Sequence, residues 1–339
     1  MNPTSPNLLA RCLRDYFTDH LPRLRGMSPH TILSYRDSLV LLLRFLAPAR
    51  KRQVADLDLE DFEPDQILAF LNHLEQDRKN GVPTRNVRLA AIHAFFRYVG
   101  AHHPDQMERS QCILGVPFKR GCQRVIEYLE HSEIDAVLKR IDRSTPDGRR
   151  DYALLATMFN TGARVQEVID LRARDLQLTR PYQLRLFGKG RKERFCPLWR
   201  QTAHLLRSFC EERQIDLPSE TRVFLNHRGT PLTRFGVRYI LAKHLEHARV
   251  DVTTLARKRL HPHSMRHSSA VHLLRSGVEI TTISQWLGHA SVTTTNRYAT
   301  VDLEMKRKAI EQARPTNFGC DGPAQWRTDA SILDWLEEL

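Results

Sequence analysis

The chain has 339 residues, enough for two domains of ordinary size, and hydrophobic residues make up 41% of it. Its 52 lysines and arginines outnumber its 39 aspartates and glutamates, giving a formal net charge of +13. This basic balance favours a polyanionic partner, with nucleic acid ahead of an acidic membrane surface, although a generic basic surface would also produce it. The most apolar run, residues 39–43, is too short to span a membrane, and the first residues lack a stretch of signal-peptide length.

The six cysteines form no CxxC pair, and the ten-residue spacing of Cys112 and Cys122 fits no common zinc motif. We interpret all six as free thiols in a reducing compartment. Together with the absence of an apolar span in the sequence, this predicts a soluble, cytoplasmic protein.

The first hundred residues have a helical pattern. Ser28 and Pro29 form a helix start signal, with a capping serine followed by proline at the first helical position. A further helix begins near Pro83, with Val87 predicted to face inward. We expect a small domain of four or five helices over residues 6–100. Arg85 and Arg88, in the early turns of the helix near Pro83, are predicted to face outward.

Residues 101–125 lack clear periodicity and contain two prolines and two glycines, which predicts a basic linker. A second, α-rich domain is predicted over residues 126–313, and VQEVIDLRARDL is predicted to form one of its helices. Within it, Tyr182 to Phe187 alternates in polarity, GKG forms a turn and Lys192 to Leu198 extends again, which predicts a β-hairpin. Residues 314–339 are predicted to form an acidic tail, because they contain two arginines and five aspartates and glutamates.

The stretch HPHSMRHSSAVHLL at residues 261–274 contains four histidines and an arginine. His263 and His267 are four residues apart, so both lie on one face of a helix, as zinc ligands do. The pair lacks the glutamate of HExxH, however, and Arg266 would place a fixed positive charge beside the metal. That charge disfavours a cation and favours a phosphate, so we predict no metal site.

Other polar residues of the second domain would suit phosphoryl transfer without a metal. Two guanidinium groups can bind the non-bridging oxygens of a phosphodiester, and histidines can donate hydrogen bonds or move a proton. A tyrosine can attack the phosphorus, and a lysine can protonate the departing oxygen. Each such residue alone is usually structural or a solvated charge. The complete set points to function: Arg164, Lys189, His263, Arg266, His267, His289 and Tyr298.

This set resembles the tyrosine recombinase family, to which phage integrases and Xer recombinases belong. TGARVQEVIDL is similar to the first-arginine box of the family, LFGKGRKERFCPL to its hairpin, HPHSMRHSSAVHLL to its HxxRH box and WLGHASVTTTNRYA to its last box. The resemblance covers the second domain closely and the first domain at the level of its helical pattern. Met265 stands where leucine is usual, and the tail is longer than the family requires.

The resemblance implies roles for these residues in the order of the motifs. Arg164 would be the first catalytic arginine, with Glu167 as the acidic residue that supports it. Lys189 would be the catalytic lysine of the hairpin.

The last two motifs would complete the site. His263 and Arg266 would be a catalytic pair supported by His267. His289 would lie in the site, and Tyr298 would be the nucleophile.

The resemblance also implies a fold and a reaction. The fold would be mainly α, with a SAM-like core-binding domain followed by an α-rich catalytic domain with a small β-hairpin. The first domain would contact DNA through four residues near the starts of two of its helices: His30, Ser34, Arg85 and Arg88. Four identical subunits on two DNA duplexes would recombine a specific site through a 3′-phosphotyrosine, without a cofactor and with or without a second recombinase or accessory protein. A mobile-element integrase and a chromosome-dimer resolvase would share all of these motifs, and the long tail favours the mobile element. The enzyme would act in the cytoplasm of a bacterium, at the nucleoid.

Two alternatives remain open. A type IB topoisomerase would use similar residues and relax DNA as a monomer. A DNA-binding protein that had lost catalysis would keep the fold alone.

Overall fold

The computed structural model describes residues 7–121, 126–188, 192–217 and 219–289, together with Thr295 and Tyr298. The chain divides into two compact units, residues 1–124 and 125–339. The acidic tail expected at residues 314–339 and the end of the second predicted domain, residues 301–313, lie outside the described residues. Among the helices described, none is long and apolar enough to cross a membrane.

The first unit is helical, and a π-helical segment (Tyr16–Leu24) follows directly after its first α-helix. Its α-helices are α1 (Leu8–Asp15), α2 (Pro29–Ala49), α3 (Pro64–Gln76), α4 (Val82–His102) and α5 (Met107–Leu114). Ser28 caps α2 as predicted, because its side chain accepts a hydrogen bond from the backbone N–H of Thr31. The predicted small helical domain is therefore confirmed, and it is built around a core rich in aromatic rings.

Helix α4 is buried over more of its surface than predicted, since Ala91, Phe95 and Tyr98 face inward as expected but so do residues expected to face outward. Arg85 is buried, with its Nε 3.6 Å from Oε2 of Glu75, and the half-buried Arg88 donates a hydrogen bond from Nη1 to Ser38 Oγ at 3.0 Å. Val87, predicted to face inward, is 53% exposed. The prediction was wrong because α4 packs against α2, α3 and α5, and a helix buried on several sides has no single apolar stripe that gives its rotation.

Of the other two predicted DNA contacts, His30 is exposed and Ser34 is half-buried on α2. The carbonyl of Ser34 accepts a hydrogen bond from Ser38 Oγ at 2.7 Å. His30 is therefore the one member of the predicted set of four that is fully open to solvent.

The predicted linker is shorter than expected at its beginning. Helix α4 continues to His102, and α5 follows within the segment expected to be irregular. Ile113 of α5 and Val116 after it belong to the core of the first unit. The sequence signal was weak because α5 is only eight residues long and contributes few core side chains.

The second unit contains seven α-helices among its described residues and a small antiparallel sheet in the order β1-β2-β3. The helices are α6 (His131–Lys139), α7 (Pro146–Thr161), α8 (Val165–Ile169), α9 (Arg200–Glu212), α10 (Arg234–Arg249), α11 (Pro262–Arg275) and α12 (Ile280–Leu287). The strands are β1 (Leu176–Gln177), β2 (Gln183–Phe187) and β3 (Glu193–Pro197). The predicted hairpin is β2 and β3, and Leu186 pairs with Arg194 in its register.

The helix predicted from VQEVIDLRARDL is much shorter than its sequence pattern suggests. Helix α8 ends at Ile169, a 3₁₀ turn follows at Ala173–Asp175, and β1 begins at Leu176. The carboxylate of Asp175 accepts hydrogen bonds from the backbone of Arg172 and from the guanidinium of Arg185 on β2. These contacts favour the turn over continued helix, and they join the turn to strand β2.

Candidate active site

The turn after α7 places the first candidate residue. Gly162 ends the helix with φ of 58°, a left-handed conformation that glycine adopts without strain. A Cβ atom at this position would lie 2.4 Å from Cδ2 of Leu287, so the turn packs directly against α12. Arg164 follows as the N-cap of α8, with its side chain partly exposed.

Glu167 links this arginine to the rest of the site. Its carboxylate accepts hydrogen bonds from Nη1 of Arg164 at 2.8 Å and from the Arg164 backbone N–H, also at 2.8 Å. Arg194 binds the same carboxylate with both terminal nitrogens. Burial alone would raise the pKa of Glu167, but the hydrogen bonds from Arg194 and Arg164 outweigh it and lower the pKa. Glu167 is therefore ionised at neutral pH.

Arg266 is buried at the centre of the site, on α11. Its Nη1 donates to the carbonyl of Gly162 at 2.7 Å, and its Nη2 donates to the carbonyl of Leu287. Burial, with Arg164 nearby, lowers the pKa of Arg266 to about 10. The guanidinium thus remains charged at neutral pH and is fixed by two backbone carbonyls that carry no full charge to neutralise it.

The carboxyl end of α12 holds three guanidinium groups. The carbonyl of Trp286 accepts from Arg194 Nε at 2.9 Å, that of Leu287 from Arg266, and that of Gly288 from Arg164 Nη2 at 3.4 Å. The last carbonyls of a helix lack partners within the helix and carry partial negative charge. The negative partial charge at this helix end therefore stabilises three neighbouring arginines whose positive charges repel one another.

Two of the candidate histidines are held in the neutral form. Burial lowers the pKa of His263, and His261, Arg266 and Arg164 lower it further. Burial together with the surrounding arginines lowers the pKa of His289 to about 4. Nδ1 of His289 lies 2.8 Å from Oγ1 of Thr295.

Tyr298 is buried beside His267 and His289. Its hydroxyl lies 2.7 Å from Nδ1 of His267, and the two ring centroids are 5.6 Å apart. The ring of His289 is nearly parallel to that of Tyr298, with centroids 6.5 Å apart. The structure therefore brings the predicted nucleophile to two of the predicted histidines, one of which can exchange a proton with it.

Lys189, the predicted lysine of the hairpin, lies outside the described residues. The strands on either side of it are described, and the backbone N–H of Gly188 donates to the carbonyl of Lys192 at 2.7 Å. His272, which shares helix α11 with the site, stacks on His131 with ring centroids 4.9 Å apart.

Sequence reasoning missed Arg194 and Thr295. A signal for Arg194 existed, because it lies two residues before Cys196 in β3 and therefore on the same, buried face of the strand. A charged residue on the inward face of a strand requires a buried partner of opposite charge. The alternation alone could not have identified that partner as Glu167.

The arrangement suits an anion better than a cation. Arg164 and Arg266 lie close enough for each to influence the titration of His263, the first histidine of the HxxxH pair, and the second histidine contacts Tyr298. Positive charges of this kind repel a metal ion and attract phosphate oxygens. A buried arginine, a partly exposed arginine, neutral histidines and a phenol provide charge neutralisation, proton transfer and a nucleophile.

Comparison with known proteins identifies the family. The family described as "Phage integrase family" matches residues 127–305, and "Phage integrase, N-terminal SAM-like domain" matches residues 15–102. The putative integrase/recombinase y4rC of Sinorhizobium fredii is 37% identical over 331 residues, which cover 98% of each chain. Tyrosine recombinase XerC of Oceanobacillus iheyensis is 30% identical over 316 residues, covering 90% of this chain and 96% of the relative.

Solved structures of low sequence identity share the fold. The XerH site-specific recombinase in a post-cleavage complex with a palindromic difH substrate has a TM-score of 0.67 at 22% identity, over 85% of this chain and 80% of that one. The Tn1549 transposon integrase in complex with transposon right end DNA also has a TM-score of 0.67, at 16% identity, over 89% and 98% of the two chains. The two family models and the relatives confirm the family resemblance drawn from the four motifs, and the solved structures confirm the fold. The chain therefore belongs to the phage integrase family and is a tyrosine-type site-specific recombinase.

Proposed function

We propose that this recombinase cuts and rejoins duplex DNA at a specific site through a covalent 3′-phosphotyrosine on Tyr298, and that it serves as the integrase of a mobile element. The observation that carries the proposal is the grouping of Arg164 and Arg266 at one helix end, in the same site as a tyrosine whose hydroxyl contacts a histidine.

In the cleavage step, Tyr298 Oη forms a bond to the scissile phosphorus while the bond from phosphorus to the 5′ oxygen breaks. His267 Nδ1, 2.7 Å from the hydroxyl, takes the phenolic proton. Lys189 donates a proton to the departing 5′ oxygen. Arg164 and Arg266 bind the non-bridging oxygens, where negative charge accumulates in the transition state.

The neutral histidines supply hydrogen bonds rather than charge. Because Nδ1 of His289 contacts Thr295, its Nε2 can donate a hydrogen bond to a phosphate oxygen. The imidazole of His263 can do the same. Rejoining reverses the step, with the 5′ hydroxyl of a partner duplex as the attacking group. The energy of the phosphodiester bond is kept in the phosphotyrosine, so the reaction needs no cofactor.

A basic and aromatic stripe on α10 supports duplex DNA as the substrate. Phe235 is 83% exposed and Tyr239 71% exposed, and both lie on the solvent side of the helix with Arg234 and Arg238. Residues 226–245 contain four lysines and arginines and no aspartate or glutamate. Arg234 donates to Gln166 on α8, so the stripe adjoins the helix that Arg164 caps. Cations bind phosphates, and exposed rings contact bases.

The first unit supplies a second surface for DNA. His30 is exposed near the start of α2, while Arg85 and Arg88 make their contacts inside the unit. We therefore retain His30 and the half-buried Ser34 as candidate contacts, and we reduce Arg85 and Arg88 to a structural role.

Four subunits on two duplexes would exchange strands in pairs, with or without a second recombinase or an accessory protein. The mobile-element assignment is supported by the 37% identity to a putative integrase/recombinase, against 30% to XerC. We place the enzyme at the nucleoid in the cytoplasm, because chromosomal DNA is the proposed target.

Covalent capture tests the chemistry. The protein is mixed with sheared, nicked DNA of the source genome in EDTA, and adducts are separated in denaturant and sequenced. Wild type and the control Tyr182→Phe, which alters a half-buried tyrosine outside the site, should yield adducts at a defined sequence. Tyr298→Phe should yield none while it still shifts DNA in a native gel.

The rival functions give different results. Adducts spread over unrelated sequences, with relaxation of supercoils, would indicate a topoisomerase. Normal DNA binding without adducts from any variant would indicate a binding protein. For the mobile element, amplification across the flanks of the gene should detect an excision junction in cells with wild type and none with Tyr298→Phe.

A further inference from the structure

Arg194 lies in the middle of β3, where its side chain faces the interior. The side chain is only 10% exposed, whereas the neighbouring Phe195 is 58% exposed. A guanidinium buried in this way loses hydration, which must be replaced by hydrogen bonds and an opposite charge. Its partners therefore show what the residue is for.

All three guanidinium nitrogens of Arg194 have partners. Nη1 donates to Glu167 Oε1 at 3.0 Å, Nη2 donates to Glu167 Oε2 at 2.7 Å, and Nε donates to the carbonyl of Trp286 at 2.9 Å. The side chain also packs under the left-handed Gly288, where an added Cβ would lie 3.0 Å from Cδ of Arg194. One residue of the sheet is thus joined to α8 and to the end of α12.

These contacts fix two separate parts of the site. Glu167 binds Arg194 through both oxygens, and the same two oxygens bind the guanidinium and the backbone of Arg164. A bidentate pair defines the plane of the carboxylate, and so the direction from which it can hold Arg164. The Trp286 carbonyl is three residues before His289, so the same guanidinium anchors the helix end that leads to that histidine.

Given the proposed cleavage reaction, on which this inference rests, we propose that Arg194 is a positioning residue for DNA cleavage. It orients Arg164 through Glu167, and it holds the end of α12 that leads to His289, without contacting the scissile phosphate itself. It also connects strand β3, which follows Lys189 in the chain, to both of these elements.

Removal of Arg194 should change the pKa values of nearby groups as well as the cleavage rate. Arg194 is among the groups that lower the pKa of Glu167 and of His289. Loss of its charge raises both pKa values. The acid limb of the cleavage rate therefore moves to higher pH, because Glu167 must be ionised to hold Arg164.

The sheet offers a matched control. Arg185 on β2 binds the buried carboxylate of Asp175 at 2.9 Å, so it is also an arginine paired with a buried acid, but this partner lies outside the site. Arg185→Gln and Arg194→Gln each remove one arginine from a buried carboxylate, and both should lower thermal stability. An effect on cleavage that only Arg194→Gln shows cannot come from stability alone.

The test is the single-turnover cleavage rate of the full-length protein on nicked DNA across pH 5 to 9, with saturating protein. Arg194→Gln should cleave roughly 10- to 100-fold more slowly, a loss of the size that misplaced catalytic groups cause, with its acid limb shifted upward. DNA binding and the Arg185→Gln rate should stay close to wild type. Arg194→Lys keeps the charge but not the bidentate geometry, so its cleavage rate should lie between those of wild type and Arg194→Gln. It replaces the glutamine variant in the test if that variant does not fold.

A folded Arg194→Gln or Arg194→Lys with the wild-type rate and pH profile would overturn the inference, as would equal losses in Arg185→Gln. Failure of the proposed function itself is distinguishable, because the wild type would then form no adduct. In that case the His289 pKa, measured by NMR on the DNA-free protein, still decides whether Arg194 organises the site: it should rise in Arg194→Gln and not in Arg185→Gln.

Discussion

Gly162→Ala is a direct test of how closely the catalytic turn packs on α12. Gly162 has φ of 58°, and a Cβ there would lie 2.4 Å from Cδ2 of the fully buried Leu287. The left-handed conformation costs an alanine about 1–2 kcal/mol. Relief of the overlap costs about 1–3 kcal/mol more, because the surrounding core has little room to shift.

Gly277→Ala is the matched control. Gly277 follows α11 with φ of 84°, and an added Cβ there meets nothing within 4 Å. It therefore incurs only the conformational cost of about 1–2 kcal/mol. The difference between the two variants, about 1–3 kcal/mol, isolates the contact with α12.

Urea unfolding followed by tryptophan fluorescence measures this difference. All four tryptophans lie at or beyond residue 199, so the signal reports the second unit. Because the carbonyls of Gly162 and Leu287 both hold Arg266, Gly162→Ala should also slow cleavage while Gly277→Ala should not. Equal losses of stability in the two variants would refute the packing argument.

Three further predictions concern charge. NMR titration of the DNA-free protein should give His289 a pKa of about 4, and a pKa near 6.5 would contradict the site geometry. Since the pKa of this histidine in the unfolded chain is near 6.5, the free energy of unfolding should decrease as pH falls from about 6.5 to 4. Arg238→Ala should reduce the slope of log affinity against log salt by about 0.9, as expected for one lost phosphate contact, and an unchanged slope would remove the α10 stripe from the DNA interface. Arg88→Ala should destabilise the first unit by about 1–2 kcal/mol in circular dichroism melts, because Ser38 loses a charged hydrogen-bond donor. His30→Ala should instead weaken DNA binding without changing stability, and the opposite result for the two variants would make Arg88 a DNA contact again.

The sequence by itself determined the family and the general plan of the fold. Some features depend only on residues that are neighbours in the chain, so they can be recognised from the sequence alone. Examples are the cap at Ser28, the alternation in Tyr182 to Phe187 and the GKG sequence that follows it. The spacing of the four motifs identified the candidate residues for the same reason. Each motif is a contiguous stretch whose residue types can be recognised one by one.

Only the tertiary structure decided how those residues are held. The burial of Arg85 on α4 depends on helices that cover α4 from several sides. The role of Arg194 depends on Glu167, 27 residues before it, and on Trp286, 92 residues after it. The end of α12 gathers three arginines through backbone carbonyls, and a carbonyl carries no sequence signature. Such contacts join distant segments, and their geometry exists only once the chain has packed.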